Sequence, residues 1–437
     1  MAYSPFDSIM FRHLLGDDEV ARLFSDSAEI RAMLLVEGTL ARVQGELGII
    51  PKDSAHFIER SAMEVQVDPA GLAEDIGRSG VAVPSLVKSF RKAMEAPEHS
   101  QYIHYGATSQ DIVDTALVLR LRQYIAHLTT GLETLSATLI ATAKANRDTV
   151  MAARTRGQIA TPTTFGARIA GWRGPIQRNH TRMGSVKDRL LTVSLAGASG
   201  NYAALGDKGR EVELALAKAL KLAAPETPSH SARDNITEFA ATLANITAAC
   251  GKIGKDILQM AQTEVGEVTL SSAGGSSTMP HKTNPVLAEI LIALADHTAA
   301  NLSTITRAQT HTQERDGAAW MLEWLALPQI CIAAAVAVKQ TQALLENMTP
   351  NADRMLANIA ATNGLIYAEA ATFALAKHMP RQDAQTLVAN ACSRAKAENK
   401  QLRDVLTTET TADVDWDSAF DPLAQTGLAR KIVDDLS

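Results

Sequence analysis

A short polar segment, residues 271–289, combines residue types that together can bind carboxylates; it reads SSAGGSSTMPHKTNPVLAE. Its two adjacent glycines can adopt positive φ and let the backbone approach a ligand closely. Two serine hydroxyls beginning at Ser276 follow, and then the ammonium of Lys282 and the amide of Asn284. Pro285 opens an apolar helical pattern, and a helix start favours an anion through its free N–H groups and dipole. A mobile Gly/Ser linker is the alternative interpretation, but a linker does not require this order of residues.

Two further polar segments carry groups that could bind a carboxylate. Residues 102–115 read YIHYGATSQDIVDT, in which the hydroxyls of Thr108 and Ser109 precede a helical pattern and His104 stands just before the turn. A plain helix N-cap is the alternative role for these hydroxyls, and both roles are compatible. Residues 153–168 read ARTRGQIATPTTFGAR. Arg156 in this segment stays protonated at any working pH and can hold a carboxylate through two parallel hydrogen bonds.

Two arginines in later segments are additional candidates. Arg233, in HSARDNITEF, either binds an anion or pairs with Asp234 and caps a helix. Surface pairing is the commoner fate of such an arginine. Arg315 lies in QERDGAAWMLEW, which follows the polar segment described first.

Long helices must position these segments. Apolar residues recur at spacings of three and four from Leu117 to Leu139, and again from Ile236 to Met260, where they form a heptad stripe. Similar patterns follow Pro285 and Trp324, whereas strand signals are weak throughout. We therefore predict an all-α protein whose long helices leave an apolar face for another subunit.

The changes in pattern predict three helical domains: residues 1–106, a central long-helix bundle at 107–350 that carries the polar segments, and residues 351–437. The acidic, threonine-rich tail after Thr407 predicts loose packing. A net charge of −6 over 437 residues does not favour nucleic acid as a partner. Three widely spaced cysteines indicate a reducing compartment and neither disulfides nor a zinc site. No apolar run predicts a membrane span, so we expect a cytoplasmic protein.

The segment GSSTMPHKTNP resembles the signature GSS-x-MP-x-K-x-NP of the fumarase/aspartase superfamily. The segments around Thr108, Thr155 and Arg233, together with SLAGASGNYAALG at 194–206, are similar to further motifs of that superfamily. The resemblance implies reversible β-elimination through an aci-carboxylate intermediate, with Ser276 as the catalytic base and with no cofactor or metal. It also implies a homotetramer whose active sites draw residues from three subunits.

One departure from the superfamily pattern indicates a particular branch. Arg156 stands where the adenylosuccinate and argininosuccinate lyases have a histidine implicated in proton transfer with the leaving group. The segment containing Arg315 resembles the 3-carboxy-cis,cis-muconate cycloisomerases, enzymes of aromatic catabolism, which expel a carboxylate that needs no proton. We therefore expect a tricarboxylate substrate and this cycloisomerisation, with a C–N lyase such as adenylosuccinate lyase as the alternative. The resemblance and the polar segments together predict these substrate-binding residues: His104, Thr108, Ser109, Thr155, Arg156, Gln158, Lys282, Asn284 and Arg315.

Overall fold

Helices dominate the computed structural model, which describes residues 4–271, 274–275, 278–279 and 282–436. The α-helices of the first 260 residues are α1 Arg12–Leu15, α2 Asp18–Leu23, α3 Asp26–Glu46, α4 Lys52–Glu64, α5 Ala73–Ser79, α6 Val83–Met94, α7 Pro97–Ser100, α8 Ser109–Ala145, α9 Phe165–Leu190, α10 Gly209–Leu220 and α11 Asp234–Met260. Those that follow are α12 Val286–Ala308, α13 Gly317–Glu346, α14 Ala352–Ala360, α15 Ala368–Leu375, α16 Arg381–Glu398, α17 Leu402–Glu409, α18 Trp416–Ala419 and α19 Ala429–Asp434. The predicted all-α class is confirmed.

The longest helices occur where the apolar stripes predicted them. Helix α8 has 37 residues, which corresponds to about 55 Å at 1.5 Å per residue. The stripe of α11 is buried along its whole length, from Ile236 at 3% exposure to Met260 at 2%. These side chains are already covered within one chain, so this stripe is not an apolar face left for another subunit, and the assembly between subunits stays a prediction. The stripe of α11 holds a single chain together.

Short antiparallel strand pairs, which the sequence pattern did not predict, connect some of the helices. Strands β1 Val150–Thr155 and β2 Gln158–Thr164 form a hairpin between α8 and α9. The strands β3 Val268–Leu270, β4 Gly274–Gly275, β5 Thr283–Asn284 and β6 Met348–Pro350 form two further pairs, β3 with β6 and β4 with β5. Both pairs are only two or three residues long, too short for an alternating apolar pattern.

The chain divides into two compact units, and several long helices pass from one unit into the other. The first unit comprises Met1–Gly131, Asn179–Thr247 and Leu294–Val338. Its core is built by α3, α4, α6, α10 and the beginning of α8. The second unit comprises Leu132–Arg178, Ala248–Ala293 and Lys339–Ser437, and one of its cores lies between α15, α16 and α17. The division into three domains stays a prediction.

The C-terminal tail is ordered, contrary to the expectation of loose packing. Val433 of α19 is fully buried, and Asp434 accepts two hydrogen bonds from Arg147, at 2.6 and 2.7 Å. Apolar residues at helical spacing therefore fix the tail despite its acidic composition.

Two helices in the described part of the chain, α12 and α13, are long and apolar enough to cross a membrane. The core helices of soluble proteins pass the same test of length and composition. In the most apolar 18-residue stretch of α13, 67% of the residues are buried within the protein, whereas in that of α12 only 22% are buried. Helix α13 therefore has the burial of a core helix, and α12 presents an apolar surface.

Candidate active site

The first turn of α8 is organised by Asp111, a fully buried carboxylate. It accepts a hydrogen bond from the N–H of Thr108 at 2.9 Å. It also accepts from the N–H groups of Ala196 and Gly197, at 2.9 and 3.0 Å, and lies 2.6 Å from Nε2 of His230. Four donors from three chain segments therefore satisfy one carboxylate, which supports its negative charge in a buried position.

Two glycines allow these segments to approach each other. Gly106 and Gly197 have φ of 73° and 75°, in the left-handed region that glycine adopts most easily. A Cβ added to Gly197 would lie 3.1 Å from the carbonyl oxygen of Gly106, and one added to Gly106 would lie 2.5 Å from the side chain of Leu205. A side chain at Gly197 would therefore press against the backbone of the turn before α8, and one at Gly106 would displace the side chain of Leu205.

His230 connects Asp111 to Arg315. The Nδ1 atom of His230 lies 3.3 Å from an Nη of Arg315, while Arg315 also donates to Oε1 of Gln110 at 3.0 Å and to the carbonyl of Ala198 at 3.2 Å. Because arginine only donates, Nδ1 must accept, and the proton of the neutral ring is assigned to Nε2, which donates to Asp111. The imidazole thus orients the guanidinium of Arg315.

Arg233 lies in a buried charge network beside these residues. It donates to Asp114 at 2.6 and 3.3 Å and to Glu323 at 2.8 and 2.5 Å, and the indole N–H of Trp320 reaches Asp114 at 3.2 Å. Burial opposes the charge of Arg233, but the attraction of both carboxylates outweighs it and raises the pKa of the guanidinium. The predictions that Arg233 pairs with Asp234 or binds a substrate anion are wrong, because the protein's own carboxylates occupy its donors.

His104 is held by a buried glutamate that the sequence did not indicate. Its Nδ1 lies 2.7 Å from Oε1 of Glu37, whose side chain is 1% exposed, while the imidazole is 21% exposed. His104 has φ of 64°, an uncommon conformation for a residue with a side chain. Burial disfavours the charged ring, but the hydrogen bond and negative charge of Glu37 outweigh burial and raise the pKa of His104. With Nδ1 engaged, the Nε2 atom remains for a ligand.

The hydroxyls of Thr108 and Ser109 are free to meet a substrate. Both residues are partly exposed, and among the described residues neither hydroxyl takes part in a hydrogen bond. The helix-cap role belongs instead to the carboxylate of Asp111, which accepts from the N–H of Thr108. Neither hydroxyl is therefore required to cap α8.

In the second unit, the turn of the β1–β2 hairpin presents the predicted residues of the 153–168 segment. Thr155 pairs with Gln158 across the hairpin, and Arg156 and Gly157 form the two-residue turn, with φ of 51° and 80°. Positive φ at both central residues is typical of a type I′ hairpin turn. The side chains of Thr155, Arg156 and Gln158 are exposed, so the turn holds them out from the unit's surface.

A buried ion pair anchors this hairpin. Arg154 donates to both oxygens of Glu267, at 2.9 and 2.8 Å, and the amide of Asn358 donates to the same carboxylate at 3.0 Å. Glu267 is fully buried. The hairpin is therefore fixed at Arg154, two residues before its turn begins at Arg156.

The glycine- and serine-rich segment is bracketed by the strand pair β4–β5. Gly274 pairs with Asn284 and Gly275 with Thr283, and the N–H of Lys282 donates to the carbonyl of Met279 at 3.0 Å. Lys282 is exposed and Asn284 partly exposed. The predicted base, Ser276, follows Gly275 in the sequence and lies outside the described residues.

The predicted residues thus form one set in each unit. His104, Thr108, Ser109 and Arg315 belong to the first unit, where Thr108 and Arg315 both connect to the Asp111–His230 pair. The second unit contains Thr155, Arg156, Gln158, Lys282 and Asn284. Among the described residues, no group of three or more His, Cys, Asp and Glu side chains could hold a metal ion. The chemistry of both sets, hydroxyls, amides, imidazoles and cations, suits carboxylate groups.

Comparisons with known proteins agree with these motifs. The family model described as "Lyase" matches residues 16–298, and one described as "Adenylosuccinate lyase C-terminus" matches residues 364–436. The chain is 39% identical to a 3-carboxy-cis,cis-muconate cycloisomerase of Pseudomonas aeruginosa over 94% of this chain and 92% of that protein. It is 32% identical to an N-acetyl-S-(2-succino)cysteine lyase of Dickeya dadantii over 100% of this chain and 97% of that protein.

A solved structure extends the likeness to the fold. The 3-carboxy-cis,cis-muconate lactonizing enzyme of Pseudomonas putida superposes with a TM-score of 0.91 at 37% identity, covering 98% of both chains. The predicted resemblance is confirmed, and the similarity favours the cycloisomerase branch over adenylosuccinate lyase. This chain therefore belongs to the lyase family that the matched model describes, the fumarase/aspartase superfamily.

Proposed function

We propose that this chain is a 3-carboxy-cis,cis-muconate cycloisomerase, which interconverts its substrate and 4-carboxymuconolactone in the β-ketoadipate pathway of aromatic catabolism. The observation that carries the proposal is the guanidinium of Arg156 at the exposed turn of the β1–β2 hairpin. At the matching position, lyases that expel an amine have a histidine. A guanidinium cannot exchange a proton at neutral pH but holds a carboxylate well.

Leaving-group chemistry explains why this substitution suits lactonisation. In the ring-opening direction the expelled group is a carboxylate, with a reference pKa of about 4, and it departs without a proton. An amine leaving group requires a proton donor. The exposed part of the β1–β2 turn, from Thr155 to Gln158, contains an arginine, a glycine and neutral polar residues, none of which is such a donor at neutral pH.

Ring closure forms one C–O bond and one C–H bond. An oxygen of the substrate's own carboxylate adds to the carbon–carbon double bond, and the electron pair moves to the carbon beside a second carboxylate, which becomes an aci-carboxylate. Ser276 then delivers a proton to that carbon; in reverse, its alkoxide removes the proton. Lys282, Asn284 and backbone N–H groups of the segment stabilise the charge where it develops.

The remaining residues hold the three carboxylates of the substrate. The hydroxyls of Thr108 and Ser109 donate to one carboxylate, with His104 beside them, and the guanidiniums of Arg156 and Arg315 neutralise the others. Thr155 and Gln158 flank Arg156 and donate from the same turn. The rigid support of Arg315 by His230 and Gln110 suits this role, because orientation before binding reduces the entropy lost on binding.

The assembly that we propose is a homotetramer whose active sites combine segments from different subunits. One support is the exposure of Thr155, Arg156 and Gln158. The other is α12, in which only 22% of the most apolar 18-residue stretch is buried within one chain. We also propose a cytoplasmic location, with neither nucleic acid nor a membrane as partner. All three cysteines are free, which is typical of a reducing compartment.

A panel of three substrates tests the proposed function. Ultraviolet assays should show rapid loss of 3-carboxy-cis,cis-muconate and little cleavage of adenylosuccinate or N-acetyl-S-(2-succino)cysteine. Ser276→Ala should reduce kcat by about 10²–10⁴ because it removes the acid–base group, whereas Ser277→Ala removes one neutral hydroxyl and should cost less than about tenfold. Preferential cleavage of either succinyl compound would refute the cycloisomerase assignment, and full turnover by Ser276→Ala would refute the role of the serine.

The role of Arg156 has a separate test. Arg156→Ala should raise KM strongly, and Arg156→Lys should restore only part of the loss, because one ammonium does not reproduce a bidentate contact. Because Arg156 is exposed, its replacement should leave folding intact, and thermal unfolding of each variant checks this. If Arg156→His gained adenylosuccinate cleavage, the assignment of the branch would have to be revised.

A further inference from the structure

A cavity of about 670 Å³ lies in the second unit, where it is lined by residues of α9, α11 and the β1–β2 hairpin. One face of α9 lines it with Arg168, Gly171 and Trp172, and one face of α11 lines it with Ala249 and Lys252. Residues three and four positions apart share a helix face, so the two helices present these side chains to a common space. Its volume is within the range of small-molecule pockets, about 300–1,000 Å³.

Small residues keep this space open. A Cβ placed on Gly171 would have no atom within 4 Å, and Ala249 opposes it with a single methyl group. Arg154 and Gly157 of the β1–β2 hairpin also line the cavity. A larger side chain at Gly171 can therefore enter the cavity without meeting the backbone.

Three cations line this cavity, and Arg168 is the one that no described residue pairs with. It is partly buried, and among the described residues no hydrogen bond or ion pair reaches its guanidinium. Burial lowers its pKa, as does the nearby charge of Arg154, while Asp256 and Glu267 act in the opposite direction. A guanidinium has five N–H donors, and leaving them unsatisfied in a partly buried place is unfavourable.

The nearby carboxylates are already engaged by other donors. Asp256 accepts from the indole N–H of Trp172 at 2.7 Å and forms an ion pair with Lys252. Glu267 accepts two hydrogen bonds from Arg154 and one from Asn358. Since each of these acids is paired with a cation, the charge of Arg168 is left over, and the cavity has a net positive charge.

We propose that this cavity binds a small oxyanion, either inorganic phosphate or a di- or tricarboxylate, through the guanidinium of Arg168. Phosphate and carboxylate share the geometry that a guanidinium binds with two parallel hydrogen bonds. Lys252 and the side-chain amides of Gln259 and Gln262, which also line the cavity, supply further donors. The site is additional to the proposed reaction and does not depend on it.

Calorimetric titration of the full-length protein at constant ionic strength tests the site. Inorganic phosphate and citrate are titrated separately, which distinguishes the two sources of oxyanion. Arg168→Gln should weaken binding of the preferred anion about tenfold or more, since a charge-assisted hydrogen bond is lost. Gly171→Leu keeps every charge but fills the cavity, and should weaken binding equally.

Each test variant has a matched control on the same helix. The control for Arg168→Gln is Arg182→Gln, because the guanidinium of Arg182 already donates to Asn179. The control for Gly171→Leu is Gly184→Leu, because Gly184 is exposed and has open space around it.

Calorimetry measures anion binding in the absence of the reaction, so the result depends only on the cavity. Loss of binding in both cavity variants, with both controls like the unmodified protein, supports the site. Absence of saturable binding to the unmodified protein, or unchanged binding in Arg168→Gln and Gly171→Leu, overturns it. Thermal unfolding of each variant without anion checks folding, and Arg168→Gln should be at least as stable as the unmodified protein because it removes a partly buried charge that no described residue neutralises. Failure of the substrate panel would not affect this result.

Discussion

The imidazole of His230 has a different partner on each nitrogen, and these partners define what the residue does. Its Nε2 donates to a fully buried carboxylate, Asp111, and its Nδ1 accepts from Arg315. His230 is itself 2% exposed, so it meets no substrate directly. We regard it as a positioning residue, which transmits the fixed orientation of Asp111 to a guanidinium at the proposed site.

Two substitutions of His230 should separate the functions of its nitrogens. In His230→Asn the side-chain oxygen lies near the former Nδ1 and can still accept from Arg315, whereas in His230→Gln the side-chain nitrogen lies near Nε2 and can still donate to Asp111. We expect His230→Asn to have a KM near that of the unmodified protein, and His230→Gln to raise KM by roughly tenfold. The unfolding temperature should follow the opposite order, with His230→Gln nearer than His230→Asn to the unmodified protein. Equal KM values in both variants would contradict a role in positioning Arg315.

The pKa of His104 should depend on Glu37. Glu37→Gln keeps the shape but removes the charge that raises this pKa, so the imidazole should titrate at lower pH in a nuclear magnetic resonance measurement. A raised pKa in the folded state stabilises the protein below the unfolded value of about 6.5, and this contribution disappears as the pH rises through the folded pKa.

The stability difference between the unmodified protein and Glu37→Gln should therefore be larger at acidic pH and smaller above the pKa of His104. An unchanged titration of His104 would show that Glu37 does not control its charge.

At the scale of elements, Arg233 connects three helices of the first unit. It stands immediately before α11, while Asp114 belongs to α8 and Glu323 to α13. All three side chains are nearly inaccessible to solvent, with exposures of 7%, 9% and 2%. Removing the cation leaves two carboxylates buried together, which is far more costly than the loss of a surface pair.

Arg233→Met should lower the free energy of unfolding by about 3–5 kcal/mol. The matched control is Arg189→Met, because Arg189 pairs with Glu238 at the surface, where an ion pair contributes far less to stability than a buried one. Urea unfolding followed by circular dichroism measures both. Equal shifts of the midpoint would mean that the buried network contributes no more than a surface ion pair.

Local patterns in the sequence were sufficient for the helices but not for their polar contacts. The stripe from Leu117 to Leu139 predicted α8 because helical spacing is visible within a few residues. The β1–β2 hairpin was missed, although Arg-Gly at 156–157 is compatible with a two-residue turn. The partners of Arg233 are 119 and 90 residues away in the sequence, so only the fold brings them together.

The same limit applies to the proposed site. Thr108, Arg156 and Lys282 were identified by their residue types and by motif resemblance. Glu37 was not identified, since it lies within a helix 67 residues before His104 and has no distinguishing local pattern. Sequence reasoning thus found the residues with exposed functional groups, and it missed the buried residues that orient them.

At the scale of the whole molecule, the distribution of the proposed site between two units gives the assembly a testable consequence. Thr108 and Ser109 belong to the first unit, whereas the residues that flank Ser276 belong to the second. Suppose that each active site of a homotetramer takes these two segments from different subunits. A subunit with a defect in one segment can then still supply its other, intact segment to a neighbouring site. Closed, symmetric oligomers with shared sites permit such complementation.

The experiment mixes two inactive proteins, Ser276→Ala and the double variant Thr108→Ala/Ser109→Ala, after dissociation in mild denaturant and reassembly. With random exchange in equal amounts, about a quarter of the sites would combine two unmodified segments, and activity should recover to roughly that fraction of the unmodified protein. The same mixture without dissociation is the control for exchange, and light scattering verifies the tetramer. A reassembled mixture as inactive as its parents would show that each site is built within one chain, because no exchange of subunits can then place an intact Ser276 beside an intact Thr108.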